Sequence, residues 1–457
     1  MPVFQSIETA KNPTTSVKAR YRMNFAKSKA LQKRFHSTIP GGAHTYAKGD
    51  DQYPEQMPVY IVRGKGSHVW DMDGNEFIEY GMGLRSVTLG HAYDSVVQAA
   101  CRQIQSGNNF VRPCPIELEC AEAFQGFIGA AEMVKFGKHG SDATSAAVKL
   151  ARAFTGRDLI AICREHPFFS VDDWFIGSTP MNAGIPEVIR KLTLKFRYND
   201  LNSVRELFAA HSSRIAAVIL EAEREQEPAP GFLQGLKELC AKEGAVLVFD
   251  ESITGFRWAN GGAQQFHKVT PDLSTFGKGL ANGFSVSALA GRRGIMRLGG
   301  LDHDRERVFL LSTTHGAEHH ALAAAIETMR IYRDEPVVDT LWRQGGLLRD
   351  GIHQVVNELK LQNHFLLNGR PCCLMYATLD QKREPSQAFR TLFLQETMRR
   401  GLLMPSLVIS YSHSDQDIQR TIDGIAGALG VYRRAIDEGI DRYLEGRPVK
   451  PVFREFN

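Results

Sequence analysis

From about residue 95 the apolar residues fall into two alternating patterns. Short unbroken runs, "DLIAIC" (158–163), "IAAVILEA" (215–222) and "AVLVFDE" (245–251), are rich in β-branched residues. Between them, "DLNSVRELFAAH" (200–211) and "GFLQGLKELCAKEG" (231–244) repeat apolar positions at helical spacing. Strands apolar on both faces that alternate with helices predict a parallel or mostly parallel sheet covered on both sides. "TTHGAEHHALAAAIETMRIYRDEP" (313–336) predicts a loop entering a long helix that stops before Pro336. Upstream, "VYIVRGKGSHVWDMDGNEFIEY" (59–80) alternates apolar and polar residues around a "DMDGN" turn, a hairpin signal. Residues 39–58 are rich in glycine and proline and read as a loop, and residues 1–37 read as polar helix. Downstream, 337–360 and 415–436 read as helices and "CCLMYATL" (372–379) as a strand. The expectation is an α/β chain with a large central domain over 85–335 and a smaller α+β domain assembled from 1–84 and 336–457.

Composition narrows the partners. The 457 residues are 43% hydrophobic and 23% charged, with a formal charge of +4, enough apolar material for a large core. So small and scattered a charge gives no case for nucleic acid or membrane surfaces. None of the seven cysteines shows metal-ligand spacing, a pattern expected of reduced thiols in the cytoplasm, and no metal is expected. No apolar run reaches membrane-spanning length, and the opening "MPVFQSIETAKNPTTSVKAR" lacks the apolar core of a secretory signal.

Three short stretches carry the chemistry. In "AVLVFDESITGFR" an apolar run delivers Asp250 to the C-terminal end of a buried strand, the end that faces the ligand crevice in open α/β sheets. A carboxylate there needs a cationic or hydrogen-bonding partner, and Arg257 is the structural alternative to a ligand. In "KHGSDATSAAVKLARAF", Gly140, Ser141 and Asp142 open an alanine-rich helix. Its free N–H groups and the positive end of its dipole suit a phosphate, provided the Asp142 carboxylate turns back to cap the helix. In "STFGKGLANG", Lys278 stands between two glycines. An amine in such a place loses hydration, its pKa falls, and the neutral form attacks aldehydes to give a Schiff base. Taken together, the phosphate-like cap, the strand-end acid and the lysine fit pyridoxal 5′-phosphate. Asp250 would keep the ring nitrogen protonated, and Lys278 would hold the aldehyde and later move a proton.

At these residues the chain resembles the class III pyridoxal-phosphate-dependent aminotransferases of fold type I, and within them the glutamate-1-semialdehyde 2,1-aminomutase branch. "IPGG" (39–42), "VWDMDGNEFIEY" (69–80), "LGHAYDSVVQA" (89–99), "KLARAFTGR" (149–157), "FDESITGFR" (249–257), "PDLSTFGKGL" (271–280) and "ISYSHSDQDIQRTI" (409–422) stand in family order. The resemblance implies a homodimer with shared active sites, in which a threonine of the neighbouring subunit helps bind the phosphate. Thr314 falls on that position, with Thr313 the alternative.

Several residues depart from the family pattern. Ser252 stands where valine usually packs on the ring, and "REHPFFSVDDWF" (164–175) replaces the Tyr-His-Gly segment. His166, or else Phe168, then stacks on the cofactor, with Glu165 at the tyrosine position. Glu221, in an altered Glu-Pro pair, is placed near the site. In "GMGLRSVTLGH" (81–91), Leu84 takes the place of the aminomutase tryptophan and Arg85 follows, ready to grip an anion through its planar fork. Lys48 falls near the family's substrate-anion arginine. These departures favour an aminotransferase working between separate donor and acceptor molecules over an intramolecular aminomutase. A catalytically silent homologue is a third reading, which the retained Lys278 and Asp250 oppose. No glycine-rich dinucleotide fingerprint follows a first strand.

Overall fold

The structure, a computed structural model, describes residues 23–456. Expectations for residues 1–22 therefore lie outside the described residues. Among the described residues thirteen strands form three sheets. In chain order they are β1 (Ile61–Lys65), β2 (His68–Asp71), β3 (Glu76–Glu79), β4 (Met133–Gly137), β5 (Leu159–Cys163) and β6 (Thr193–Phe196). There follow β7 (Ile215–Leu220), β8 (Val246–Asp250), β9 (Leu273–Phe276), β10 (Ser287–Gly291), β11 (Phe365–Asn368), β12 (Met375–Thr378) and β13 (Leu402–Leu403).

The central sheet has seven strands in the order β4-β10-β9-β8-β7-β5-β6, with β10 alone antiparallel to its neighbours. The three apolar runs form β5, β7 and β8, every residue of which is buried. Burial on both faces explains why these strands read as continuous apolar segments. The helix Gly140–Thr155 covers one face with small side chains, Ala143, Ala146, Ala147 and Ala151 all being buried. A helix so rich in alanine can lie close to the sheet, which fixes where its first turn ends up.

The expected N-terminal hairpin is a three-stranded meander, β1-β2-β3, with the "DMDGN" turn between β2 and β3. Its fourth strand, β13, pairs parallel to β3 and joins Leu402 and Leu403 to Ile78 and Glu79. The two distant chain segments thus share one sheet. The helix His319–Asp334 ends before Pro336, as its pattern predicts. Helices Val337–Glu358, Gln387–Met398 and Asp415–Glu438 and the β11–β12 hairpin make up the C-terminal part. No described helix is long and apolar enough to cross a membrane.

A buried polar tie joins the two chain ends. Asp417 Oδ2 accepts from Ser414 N–H at 3.0 Å, Ser414 Oγ at 2.9 Å and Ser67 Oγ at 3.0 Å, and Oδ1 lies 3.0 Å from His68 Nε2. Those bonds hold the Asp417 carboxyl below its usual range against the opposing effect of burial, and the Asp417 contact raises the His68 pKa. The aspartate's contribution is present above its unfolded value and lost as pH falls. The histidine's contribution is present below its unfolded value and lost as pH rises. The tie is therefore strongest between about pH 3.8 and 6.5. Asp417→Ala is expected to cost about 2–4 kcal/mol of unfolding free energy. Urea denaturation of both proteins at pH values inside and above that window checks it, with the larger difference expected inside.

Candidate active site

β4, β5, β7, β8 and β9 run in one direction, and the cofactor candidates of the central sheet follow their C-terminal ends. Asp250 closes β8 and faces Thr275 of β9 in register, so the chain leaving β9 reaches Lys278 beside it. Thr275 Oγ1 and the Ser252 N–H each donate to Asp250 Oδ1 at 3.0 Å. A hydrogen bond from the Ser252 side chain adds to these. Burial raises the Asp250 pKa and the Lys278 charge opposes that rise. Arg257, the structural alternative, does not meet Asp250. It is buried and donates to the carbonyls of Arg85, at 2.9 Å, and Ile409, at 3.4 Å. The neighbouring Glu251 faces away from the site and accepts from the Ala263 and Gln264 N–H groups at 2.8 Å.

Lys278 adopts a φ of +34°, a left-handed conformation unfavourable for any residue but glycine. Its amine is surrounded by protein atoms, and loss of hydration is the main cause of its lowered pKa. Asp250 and Glu221 resist that fall, while Arg85 and Arg224 add to it. The flanking glycines have different reasons. A Cβ on Gly279 would sit 3.0 Å from the Thr88 methyl, a tight contact that requires Thr88 to shift. A Cβ on Gly277 would sit 3.8 Å from Ser252 Oγ and 3.9 Å from Gly140 Cα, ordinary contacts that leave the space open. The lysine turn, the turn after Asp250 and the helix start at Gly140 therefore converge on one cradle.

At that helix start Asp142 turns back as its position requires, accepting from the Lys138 and His139 N–H groups at 2.8 Å. The Gly140 and Ser141 N–H groups have no acceptor among the described residues. Ser141 Oγ accepts from Val171 N–H at 3.1 Å, which fixes the segment that follows β5. His166 lies in that segment, buried, and its Nδ1 accepts from Glu221 N–H at 3.1 Å. Burial first, and the Arg224 charge second, push its pKa down to about 3, so the ring is neutral with its proton on Nε2. Phe168 is exposed and packs edge-on to Phe175. Glu221 Oε1 lies 3.3 Å from Arg224 Nη1, while Glu221 Oε2 and Arg224 Nε are buried without hydrogen-bond partners. Glu223 points the other way and anchors this loop to Arg370 and His267.

Residues Met82–Arg85 form a single turn with φ of 42°, 57°, 56° and 72° in order. Glu79 holds one end, its carboxylate accepting from Met82 N–H at 2.7 and 2.8 Å. The Arg257 guanidinium holds the other through the Arg85 carbonyl. Lys48 is exposed and lines a cavity of about 510 Å³ that Gly83 and Leu84 of this turn also line. Thr313 and Thr314 are also exposed, and the Thr314 carbonyl accepts from Asn109 Nδ2 at 3.0 Å.

Sequence reasoning missed Thr275, Arg224 and the role of Arg257. Thr275 lies within the stretch that holds Lys278, but only the β8–β9 register gives it a purpose.

The residues present fit pyridoxal phosphate. Unpartnered amides meet the needs of a phosphate, a poorly hydrated amine those of an aldehyde, and a buried carboxylate those of a ring N–H. Site and fold together define a pyridoxal-phosphate-dependent enzyme. The family model for class III aminotransferases matches residues 50–403, and the chain belongs to that family. A glutamate-1-semialdehyde 2,1-aminomutase of Syntrophomonas wolfei is 33% identical over 89% of this chain and 98% of its own length. A 3-aminobutyryl-CoA aminotransferase of Cloacimonas acidaminovorans is 29% identical over 91% of this chain and 99% of its own length. Among solved structures, the FumI protein of Sphingopyxis sp. MTA144 in its PLP internal aldimine form superposes with a TM-score of 0.83 at 28% identity, covering 90% of this chain and 98% of that one. An omega-transaminase from Sphaerobacter thermophilus gives 0.79 at 26%, covering 88% and 97%. The protein is an enzyme of the aminotransferase class, and its cofactor is pyridoxal 5′-phosphate.

Proposed function

We propose that the enzyme moves an amino group between two separate molecules rather than within one. Relatives of both kinds align over about nine-tenths of the chain, so the choice rests on the site. The observation that carries it is the strained 82–85 turn, which presents Leu84 and an unpaired arginine where the resemblance to the aminomutase branch leads one to expect an aromatic residue.

In this reading the cofactor supplies an aldehyde that captures amines and a ring that withdraws electrons from the captured carbon. The Gly140 and Ser141 amides hold the phosphate, Asp250 Oδ2 keeps the ring nitrogen protonated, and Ser252 and neutral His166 flank the ring. Lys278 Nζ holds the aldehyde and, once an incoming amine frees it, moves the proton as base and then acid. Glu221, Arg85 and Lys48 face the substrate. Thr314 of a second copy completes the phosphate contacts in a homodimer. Its exposure and the bare apolar surface of Phe110, Val111 and Phe309 support that arrangement. The free thiols of all seven cysteines suit a reducing cytoplasm.

Heavy-nitrogen labelling separates the two reactions. With labelled glutamate, alanine or γ-aminobutyrate as donor and pyruvate or α-ketoglutarate as acceptor, mass spectrometry is expected to find the label in the acceptor-derived amine. Label that never leaves its molecule would mark a mutase.

A further inference from the structure

Two hydroxyls converge on the Asp250 carboxylate. Thr275 Oγ1 donates to Oδ1 at 3.0 Å from the neighbouring strand, a distance that the β8–β9 register sets. From the turn that follows β8, the Ser252 N–H donates to Oδ1 at 3.0 Å and the Ser252 side chain adds a further bond. Asp250, Ser252 and Thr275 are all buried. Ser252 also faces the cradle, since a Cβ on Gly140 would sit 3.4 Å from its Oγ and one on Gly277 3.8 Å. With Arg257 turned to backbone carbonyls, neutral donors alone hydrogen-bond this carboxylate among the described residues. Burial disfavours its charged form, and the Glu221 charge disfavours it further. The Lys278 charge opposes both only while the amine is protonated, and burial lowers that pKa. The hydroxyls act throughout, because a hydrogen bond donated to a carboxylate favours its charged form. A proton shared between Asp250 and a ring nitrogen can rest on either partner. Donors on Asp250 stabilise the ionic arrangement over the neutral one, which leaves the proton on nitrogen, where it helps the ring to withdraw electrons.

We propose that Thr275 and Ser252 are positioning residues for the reaction: their hydroxyls hold Asp250 in its charged form, so that the ring nitrogen of the cofactor keeps its proton. Thr275 belongs to the next strand and Ser252 to the turn, so the same bonds fix both the place of the carboxylate and its charge. An apolar side chain at 252 would fill the cradle but donate nothing. The serine exchanges part of that apolar contact for a bond that keeps Asp250 ionised. This assignment rests on the reading that Asp250 meets the ring nitrogen, and an Asp250 variant separates the two.

The probe is the deaza analogue of pyridoxal 5′-phosphate, which keeps the aldehyde and the phosphate and carries C–H in place of the ring nitrogen. Equilibrium dialysis of the cofactor-stripped enzyme is expected to show tighter binding of pyridoxal phosphate than of the analogue. Thr275→Val and Ser252→Ala are each expected to cut that preference roughly tenfold. Thr275→Ser, which retains the hydroxyl, is expected to keep it. In protein loaded with cofactor carrying heavy nitrogen in the ring, nitrogen NMR is expected to find the wild-type resonance at the protonated position. The double variant Thr275→Val, Ser252→Ala is expected to move it toward the unprotonated one. Thr275 is fully buried, so circular dichroism confirms the fold of each variant, and valine conserves its volume. Affinity lost equally for both ligands in the variants overturns the proposal, because a merely structural role weakens them alike. Asp250→Asn is expected to abolish the preference. If it does so while both hydroxyl variants retain theirs, the hydroxyls have no part and the reading of Asp250 stands. If the wild-type enzyme binds the two ligands alike, that reading fails and the proposal fails with it.

Discussion

Lys278→Ala is expected to lower turnover by about ten-thousandfold while the protein still takes up the cofactor. The phosphate amides at Gly140 and Ser141 and the carboxylate at Asp250 belong to other elements, so removing the amine leaves them in place. What is lost is the one group whose amine is poorly hydrated and set among Asp250, Glu221 and two arginines. The loss should fall on kcat, because the amine acts on the proton transfer rather than on substrate binding. Stopped-flow spectra of one half-reaction, with γ-aminobutyrate or glutamate in excess, measure it directly. A variant that retained even a tenth of the wild-type rate would show that another base does the work.

Asp250→Asn is expected to lower kcat by about a hundred- to a thousandfold and to weaken cofactor binding by roughly ten- to a hundredfold. Asparagine keeps the shape and the bonds from Thr275 and Ser252 but offers no negative charge to a protonated ring nitrogen. Stability should move the other way. Burial raises the Asp250 pKa, so in the cofactor-free chain its carboxylate favours folding at low pH, and that benefit is lost as pH rises through the raised value. At neutral pH the cofactor-free Asn variant is therefore expected to be at least as stable as wild type by urea denaturation. A clear fall in stability would mean that the carboxylate serves the fold and not the cofactor.

The central sheet was legible because β5, β7 and β8 are buried on both faces and each reads as an unbroken apolar run. The helix 319–334 was legible from its periodicity and from Pro336 beyond its end. β13 was not, since two residues carry no periodicity and it exists only because β3 offers an edge. The same contrast holds in the site. Asp250 and Lys278 announce themselves by a strand end and by flanking glycines. Arg257 is the structural alternative to a ligand for Asp250 because it lies close in sequence. The chain bends after β8 and aims it at the Arg85 carbonyl instead.

Borohydride reduction followed by peptide mass spectrometry tests the central claim most directly. The yellow, cofactor-loaded protein is expected to bleach and to carry the cofactor's mass on the peptide containing Lys278. A colourless protein that ignores added pyridoxal phosphate, or a reduced adduct on any other lysine, would contradict the account.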